Sequence, residues 1–226
     1  MKKIDNFLIG HKVLLEVDSP INGKLTVIRD LAWGTYIKVQ GITQSGGVVR
    51  DVWKSTLKKL KRQISDVKTC LILGLGGGSA AKLVGKFWPE VRITGVEIDP
   101  IMIKLGEKYM DLDKTKTKVI IEDAFEFCTS HWPASPIQGG SLSTVHYDLI
   151  LIDLYIGDKM PKKFEQKRFF RLVSGLLNEG GVAIFNRLYF GDKRPGTMRF
   201  GDRLGKIFSE VTAISPEANI FFVCSK

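Results

Sequence analysis

Two different periods of hydrophobic and polar positions divide the chain. Between residues 10 and 50, three β-prone runs, KVLLEV, KLTVIRD and TYIKVQGI, are separated by the turn-rich segments DSPING, LAWG and TQSGG. Runs of this length and composition predict strands. From Val52 to Ile64 the apolar positions recur with a helical period. We therefore predict a small β-rich N-terminal domain with a linking helix over residues 1–62, and a second domain over residues 63–226.

The second part of the chain alternates apolar runs with helical patterns. Seven runs predict strands: TCLILG, RITGVEI, KVIIE, YDLILID, GVAIFN, VTAIS and NIFFVC. Asp99 followed by Pro100 predicts the start of a helix, and RFFRLVSGLLNEGG predicts a helix that ends at its glycines. Because apolar strands that alternate with helices are typical of a parallel sheet covered on both faces, we predict an α/β, Rossmann-like domain. Only SPEA joins the last two strands, which predicts an antiparallel hairpin.

Composition and charge narrow the function classes. The sequence has no run of 18 apolar residues, so it predicts no membrane span, and we expect a cytoplasmic protein. Cys70, Cys128 and Cys224 show neither metal-ligand nor disulfide-framework spacing, which predicts buried thiols and no metal site. Of the net charge of +10, +7 falls within residues 1–62. Such a patch suits nucleic acid or an acidic partner, but we do not favour nucleic acid because no aromatic-rich recognition motif accompanies the charge.

A glycine-rich turn follows the first strand of the second domain. The segment LGLGGGS contains Gly74, Gly76, Gly77 and Gly78. Glycines between a strand and a helix let the backbone approach a ligand closely and direct a helix N-terminus towards it. The motif alone is a weak signal, because a tight turn without a ligand is the alternative explanation.

Acidic residues at the ends of the next strands strengthen the signal. Glu97 follows Gly78 by nineteen residues, a spacing at which a carboxylate accepts hydrogen bonds from ribose hydroxyls. Asp123 precedes the helix that begins at Ala124 and is placed to accept from an adenine amine. Asp153 ends the fourth strand, at the edge where open α/β sheets bind ligands. A charged loop at Glu97 and a helix N-cap at Asp123 are the alternatives, but their coincidence predicts an adenosyl-cofactor site.

From Ser19 onwards the chain resembles the spermidine synthase-like branch of the class I S-adenosylmethionine (AdoMet)-dependent transferases. The matching pieces are Ser19-Pro20, GITQ, LGLGGGS, VEIDP, EDAFEF, YDLILID and FF…LLNEGG. GLGGGS, VEIDP and EANIFFVC are also similar to the elongation factor 1-alpha methyltransferases. The resemblance implies a seven-stranded methyltransferase sheet, a homodimer, and AdoMet or its decarboxylated form as cofactor. It implies that the cofactor is bound by Gln44, Gly74, Gly76, Gly77, Gly78, Glu97, Ile98, Asp123, Ala124 and Asp153.

Departures from the family pattern bear on the chemistry. Polyamine synthases carry an aspartate in the glycine turn, where this chain has Gly77, and a Tyr-His pair in the following helix, where this chain has VRDVWKS. Their catalytic loop holds two closely spaced acids, whereas here Asp153 matches the first and Asp158 comes two residues late. A turn without the aspartate repels the carboxylate of full AdoMet less. These differences favour methyl transfer over aminopropyl transfer.

The acceptor is not identified by the sequence. We expect Asp153 and Tyr155 to orient or deprotonate the nucleophile. For Asn186 and Arg187 we favour packing or solvent exposure over a place in the same cleft. The basic residues that follow the loop would repel a diamine and suit an acidic or neutral acceptor; they are Lys159, Lys162, Lys163, Lys167 and Arg168. Three alternatives remain: an aminopropyltransferase, a non-catalytic cofactor-binding module and, least favoured, a dehydrogenase, in which the final hairpin and Asp123 have no role.

Overall fold

A computed structural model of the protein describes residues 10–132 and 146–226. Its strands are β1 His11–Ser19, β2 Gly23–Asp30, β3 Gly34–Val39, β4 Ile42–Gly46, β5 Thr69–Leu73, β6 Arg92–Glu97, β7 Lys118–Ile121, β8 Tyr147–Ile152, β9 Leu177–Leu188, β10 Glu210–Ile214 and β11 Asn219–Ser225. Its α-helices are α1 Gly47–Leu60, α2 Ser79–Phe87, α3 Pro100–Met110, α4 Ala124–Ser130, α5 Lys167–Gly175 and α6 Lys193–Leu204. Short 3₁₀ turns lie at Leu112–Thr115 and Lys162–Glu165.

The N-terminal strands form an antiparallel meander in the order β1-β2-β3-β4. The predicted run TYIKVQGI is two strands, because the chain reverses at Gln40 and Gly41, both with positive φ. The helix expected from Val52 begins earlier, at Gly47, and ends at Leu60. The β-rich first domain is thus confirmed as a separate sheet, while its boundary at residue 62 stays a prediction.

The second sheet has the order β10-β11-β9-β8-β5-β6-β7 within the described residues. Strands β5 to β9 pair in parallel, and β11 pairs antiparallel with both β9 and β10. All seven predicted runs are strands, and the predicted closing hairpin is present. The Rossmann-like methyltransferase sheet is therefore confirmed.

Two helices differ from the prediction. Helix α5 ends at Gly175, and the segment LNEGG belongs to β9, where Leu177 already pairs with Tyr147 before an irregularity in the register. Tertiary pairing has therefore overridden the helical pattern. Helix α6 has no clear sequence signal, because it contains Pro195, Gly196 and Gly201, residues that weaken a helical prediction.

The N-terminal sheet is held against the second domain by an apolar and a polar contact. Residues of β2 and β3 pack on helix α3 in one buried cluster that includes Leu25, Val39 and Leu105. Asp99, the confirmed N-cap of α3, also accepts hydrogen bonds from the side chains of Ser19 and Asn22. These contacts bring the first sheet to the edge where β5 to β8 end.

The three cysteines are buried and free, as predicted. Among the described residues, no helix is both long and apolar enough to cross a membrane. No group of three or more metal-ligating side chains occurs in those same residues.

Candidate active site

A hollow of about 240 Å³ lies at the carboxyl ends of the parallel strands. We call it the strand-tip hollow. Seven predicted site residues line it: Gly74, Glu97, Ile98, Asp123, Ala124, Asp153 and Tyr155. Asn22, in the turn between β1 and β2, and Lys163 of the 3₁₀ turn line it as well; neither is among the predicted cofactor-binding or catalytic residues. The successive strand ends thus meet around one cavity, as the strand order of the sheet requires.

Gly74 sits where the ends of β5 and β8 come closest. Its φ is +86°, and a Cβ placed there would lie 2.1 Å from the backbone oxygen of Asp153. Any side chain would therefore push the two strand ends apart. This glycine sets the close approach that puts Asp153 on the wall of the hollow.

Glu97 is buried and holds the glycine turn in place. Its carboxylate accepts from the backbone N–H of Gly76 at 2.8 Å and from that of Asp99 at 3.0 Å. Burial raises the pKa of Glu97, and these backbone N–H groups partly oppose that shift. Because each carboxylate oxygen can accept more than one hydrogen bond, Glu97 retains capacity for ligand hydroxyls.

Asp123 has two partners. One carboxylate oxygen accepts from the N–H of Phe125 at 2.9 Å, so the N-cap interpretation is confirmed for helix α4. The other oxygen accepts from Lys163 Nζ at 2.6 Å. Asp123 therefore caps helix α4 and also lines the strand-tip hollow. An adenine amine would share the second oxygen with Lys163.

The remaining glycines of the turn lie elsewhere than expected. Gly76, Gly77 and Gly78 are absent from the lining of the strand-tip hollow. The N–H of Gly77 donates to Ser45 Oγ at 3.0 Å, and a Cβ on Gly77 would lie 2.6 Å from Met110 Sδ. Gly77 therefore lets the turn pack against the N-terminal sheet and helix α3, and Gly78 lets it pack against Leu112 of the first 3₁₀ turn.

A second hollow, of about 200 Å³, adjoins the first. We call it the hairpin hollow, because Glu217, Ala218 and Asn219 at the turn between β10 and β11 form one side of it. Asp153 and Tyr155 line both hollows. Gln44 lies here rather than in the strand-tip hollow, and its Nε2 donates to the backbone oxygen of Gly157 at 2.7 Å.

Asp153 stands between the hollows with both carboxylate oxygens occupied by donors. Oδ2 accepts from the indole Nε1 of Trp53 at 2.7 Å, and Oδ1 accepts from Nδ2 of Asn186 at 2.8 Å. Burial raises the pKa of Asp153, while the two donors oppose that rise. Packing or solvent exposure was the favoured role of Asn186, with a place in the same cleft as the alternative, and its contact with Asp153 supports the alternative.

Tyr155 is a neutral hydroxyl at ordinary pH. Burial is the largest of the effects that raise its pKa to about 12. Its oxygen accepts from the N–H of Leu188 at 3.0 Å. That contact fixes the ring beside Asp153 and leaves the hydroxyl proton for another acceptor.

The hairpin hollow is acidic. Asp153 and Glu217 line it, and no lysine or arginine does among the described residues. None of the basic residues after the loop lines this hollow: Lys159 and Lys162 are exposed, and Lys163 pairs with Asp123. The charge of the loop therefore does not set the charge of this hollow.

Arg187 serves packing, one of the two roles favoured for it. Its guanidinium donates a hydrogen bond to the Glu165 carboxylate at 2.8 Å and lies 4.4 Å from the ring centroid of Phe200. Those contacts hold the segment that carries Lys163 against β9. Arg187 lines neither hollow.

Comparison with known proteins is consistent with this geometry. The spermine/spermidine synthase domain matches residues 50–190. The eEF1A lysine and N-terminal methyltransferase homolog of Drosophila melanogaster is 27% identical over 173 residues, which cover 74% of this chain and 24% of that protein. The polyamine aminopropyltransferase of Vibrio vulnificus is 31% identical over 117 residues, covering 51% of this chain and 36% of that protein. The chain thus spans roughly a quarter to a third of the length of these two curated relatives.

The fold is shared with solved structures. The spermidine synthase of Thermotoga maritima superposes with a TM-score of 0.73 over 95% of this chain and 73% of the other, at 18% identity. The superposition includes the N-terminal sheet, because it covers nearly the whole chain. At this level of identity the likeness establishes the architecture.

Proposed function

Because this chain belongs to the spermine/spermidine synthase domain family, we propose that it is an AdoMet-dependent methyltransferase that acts on an amine. One observation carries the proposal. Asp153 and Tyr155 form a wall common to a hollow whose carboxylates suit a nucleoside and a second hollow whose charge suits a cation. A donor and an acceptor bound on the two sides would meet at this wall.

The residues of the strand-tip hollow fit an adenosyl group. Glu97 would accept from the ribose hydroxyls and Asp123 from the adenine amine, while Ile98 and Ala124 would contact the base from adjacent strand ends. Gly74 would leave room for the methionine tail beside Asp153. When bound, AdoMet supplies a methyl group on a sulfonium, an electrophile that needs little more than alignment with a nucleophile.

Asp153 and Tyr155 would act on the acceptor nitrogen. The Asp153 carboxylate would take a proton from the acceptor ammonium and so free the nitrogen lone pair to act as the nucleophile. The Tyr155 hydroxyl lies on the same wall and orients the nitrogen by a hydrogen bond. A carboxylate whose pKa is raised by burial is a stronger base for this task than an exposed one.

An amine acceptor follows from the lining of the hairpin hollow. Two acidic residues, Asp153 and Glu217, line it together with Gln44, Asn186 and Asn219, whose side chains carry amides. Such a lining attracts a cation and offers hydrogen-bond acceptors to its N–H groups. This replaces the acidic or neutral acceptor expected from the loop lysines. The relative from Drosophila is named for lysine and N-terminal methylation, which supports the same class.

Aminopropyl transfer from decarboxylated AdoMet is the second candidate, favoured by the family description and by the relative from Vibrio. We rank it lower because the turn has Gly77 where the synthases carry an aspartate. A Cβ at Gly77 would lie 2.6 Å from Met110 Sδ, so the Met110 side chain fills the space beside the turn and would have to move to admit that carboxylate. This chain also lacks the Tyr-His pair of the synthases, and the second acid of its loop, Asp158, comes two residues later than theirs.

We place the activity in the cytoplasm, since the three cysteines are free thiols. The homodimer and the disfavoured contact with nucleic acid stay predictions.

Donor preference and methyl transfer test the proposal together. Calorimetry should show tighter binding of AdoMet than of decarboxylated AdoMet. Methyl-labelled AdoMet should then label a peptide with a free N-terminus and one lysine, while a peptide blocked at both amines serves as the matched control. Preference for decarboxylated AdoMet, with aminopropyl transfer to a diamine, would instead support the second candidate. Binding of neither donor would overturn both.

A further inference from the structure

Trp53 lies on helix α1, in the segment VRDVWKS that departs from the family pattern. Its side chain is 1% exposed, and its ring meets the ring of Phe221 edge to face at 4.6 Å between centroids. The ring is therefore fixed by packing between the linking helix and strand β11. Its only polar atom, Nε1, donates to Asp153 Oδ2 at 2.7 Å. A buried hydrophobic ring thus presents one hydrogen-bond donor to the wall between the hollows.

The other oxygen of Asp153 is held by a chain of amides. Asn219 Nδ2 donates to Asn186 Oδ1 at 2.8 Å, and Asn186 Nδ2 donates to Asp153 Oδ1 at 2.8 Å. Because the first bond occupies the carbonyl end of Asn186, its amino end faces Asp153. The orientation of Asn186 is therefore set from β11.

Both contacts present donors to the carboxylate. The indole N–H can only donate, and the amino group of Asn186 can only donate. Donors on both oxygens favour the ionised carboxyl group over the protonated one. They also fix its plane, so that each oxygen keeps a free lone pair for a group in either hollow.

We propose that Trp53 is a positioning residue that orients the Asp153 carboxylate and keeps it ionised for proton removal from the acceptor, with Asn186 and Asn219 supporting the second oxygen. The inference rests on the proposed function, because it assigns Asp153 the role of base. It goes further by giving the linking helix α1 a part in the active site. The N-terminal segment thereby contributes to chemistry as well as to binding.

The other ionisable groups that line the two hollows are Glu97, Glu122, Asp123, Tyr155, Lys163 and Glu217. None of them is hydrogen-bonded to Trp53 or Asp153 among the contacts of the described residues. A change confined to the indole N–H therefore acts on Asp153 directly.

The first test detects the hydrogen bond by NMR and does not require the protein to be active. In ¹⁵N-labelled protein, the indole N–H resonance of Trp53 should follow the ionisation of Asp153 as the pH is varied, and Asp153→Asn should abolish that titration. Trp88 is the internal control, because its buried indole donates to the backbone oxygen of Ile64 instead. A Trp53 resonance that moves no more than that of Trp88 would overturn the proposal.

The second test measures how methyl transfer depends on pH. Trp53→Phe keeps an aromatic ring but removes the N–H, so the pKa of Asp153 should rise and the acidic limb of the kcat/KM profile should move up by about one pH unit. Trp88→Phe should leave the limb in place. Should Trp53→Phe not fold, Asn219→Leu, which releases Asn186, should shift the limb in the same direction.

If the wild type methylates and Asp153→Asn does not, an unmoved limb in these variants refutes the inference alone. A wild type that transfers no methyl group refutes the proposed function instead, and the resonance test still decides whether the hydrogen bond exists.

Discussion

The strand-tip hollow and the hairpin hollow differ in how they are built and in their charge. The strand-tip hollow gathers the ends of strands β5 to β8, and its acids are balanced in part by Lys163. The hairpin hollow is assembled from the N-terminal sheet, the loop after β8, strand β9 and the β10–β11 turn, and no cation lines it among the described residues. Asp153 and Tyr155 belong to both. The difference separates donor binding from acceptor binding and leaves transfer to the wall that they share.

Asp153→Asn should have the largest effect, because it removes the base from the shared wall. Loss of general base catalysis typically lowers kcat by about 100-fold or more. Donor affinity measured by calorimetry should change less than the rate, since Asp153 lies beside the place of the methionine tail and is not among the groups assigned to the ribose or adenine. Asp158→Asn is the matched control, because Asp158 lies in the same loop, pairs with Lys193 and lines neither hollow. Equal rates for the two variants would remove Asp153 from the mechanism.

Asp123→Ala should act on the strand-tip hollow alone. Loss of the acceptor for the adenine amine should weaken AdoMet binding about tenfold, and loss of the N-cap of α4 should lower the free energy of unfolding by about 1 kcal/mol. Calorimetry and urea denaturation measure the two effects. Glu126→Ala, an exposed acid in the first turn of the same helix, controls for charge. An acceptor KM that rises as much as the donor Kd would contradict the separation of the hollows.

Glu217→Gln should act on the hairpin hollow alone. Glutamine keeps the shape of the side chain at a backbone position with a φ of +49° and removes the charge that attracts a cationic acceptor. The acceptor KM should rise several-fold, while kcat and the donor Kd stay unchanged. Steady-state kinetics against peptide concentration measure this. Glu210→Gln, at the far end of β10, should have no such effect, and a matching rise in that variant would point to overall charge instead.

Asp111→Asn should have the smallest effect, since Asp111 lies outside both hollows. Hydrogen bonds from Lys114 and Lys82 lower the pKa of Asp111 to about 2, below its unfolded value of roughly 4. The ionised form therefore stabilises the folded state above about pH 4, and this contribution is lost as the pH falls towards 2. Thermal melts should show a slightly lower Tm for the variant at pH 7 and equal Tm values near pH 2. A difference that persists at pH 2 would contradict the ion-pair explanation.

The sequence predicts the strand-tip hollow better than the hairpin hollow for a physical reason. Consecutive parallel strands end at one edge of the sheet, so Glu97, Asp123 and Asp153 are brought together by the strand order alone. Gln44 and Gly157 meet across 113 residues, and Asn186 and Asn219 across 33, through contacts that no local pattern encodes. The hairpin hollow therefore becomes visible only in three dimensions.

The glycine turn shows where a local pattern is ambiguous. The motif predicts close approach of a backbone, and Gly74 and Gly77 both require it. Gly74 makes room beside Asp153, whereas Gly77 makes room for Met110 and the N-terminal sheet. A sequence reports that a side chain is excluded at a position, but not whether protein or ligand occupies the space.

The central claim is that the strand-tip hollow binds an adenosyl donor through Glu97. Calorimetric titration of S-adenosylhomocysteine into the wild type and into Glu97→Ala tests it most directly, with Glu90→Ala on the exposed turn after α2 as the control. Saturable binding to the wild type and to the Glu90 variant, with affinity lowered at least tenfold in Glu97→Ala, is the predicted result. Equal affinity in all three proteins, or no binding to the wild type, would contradict the account.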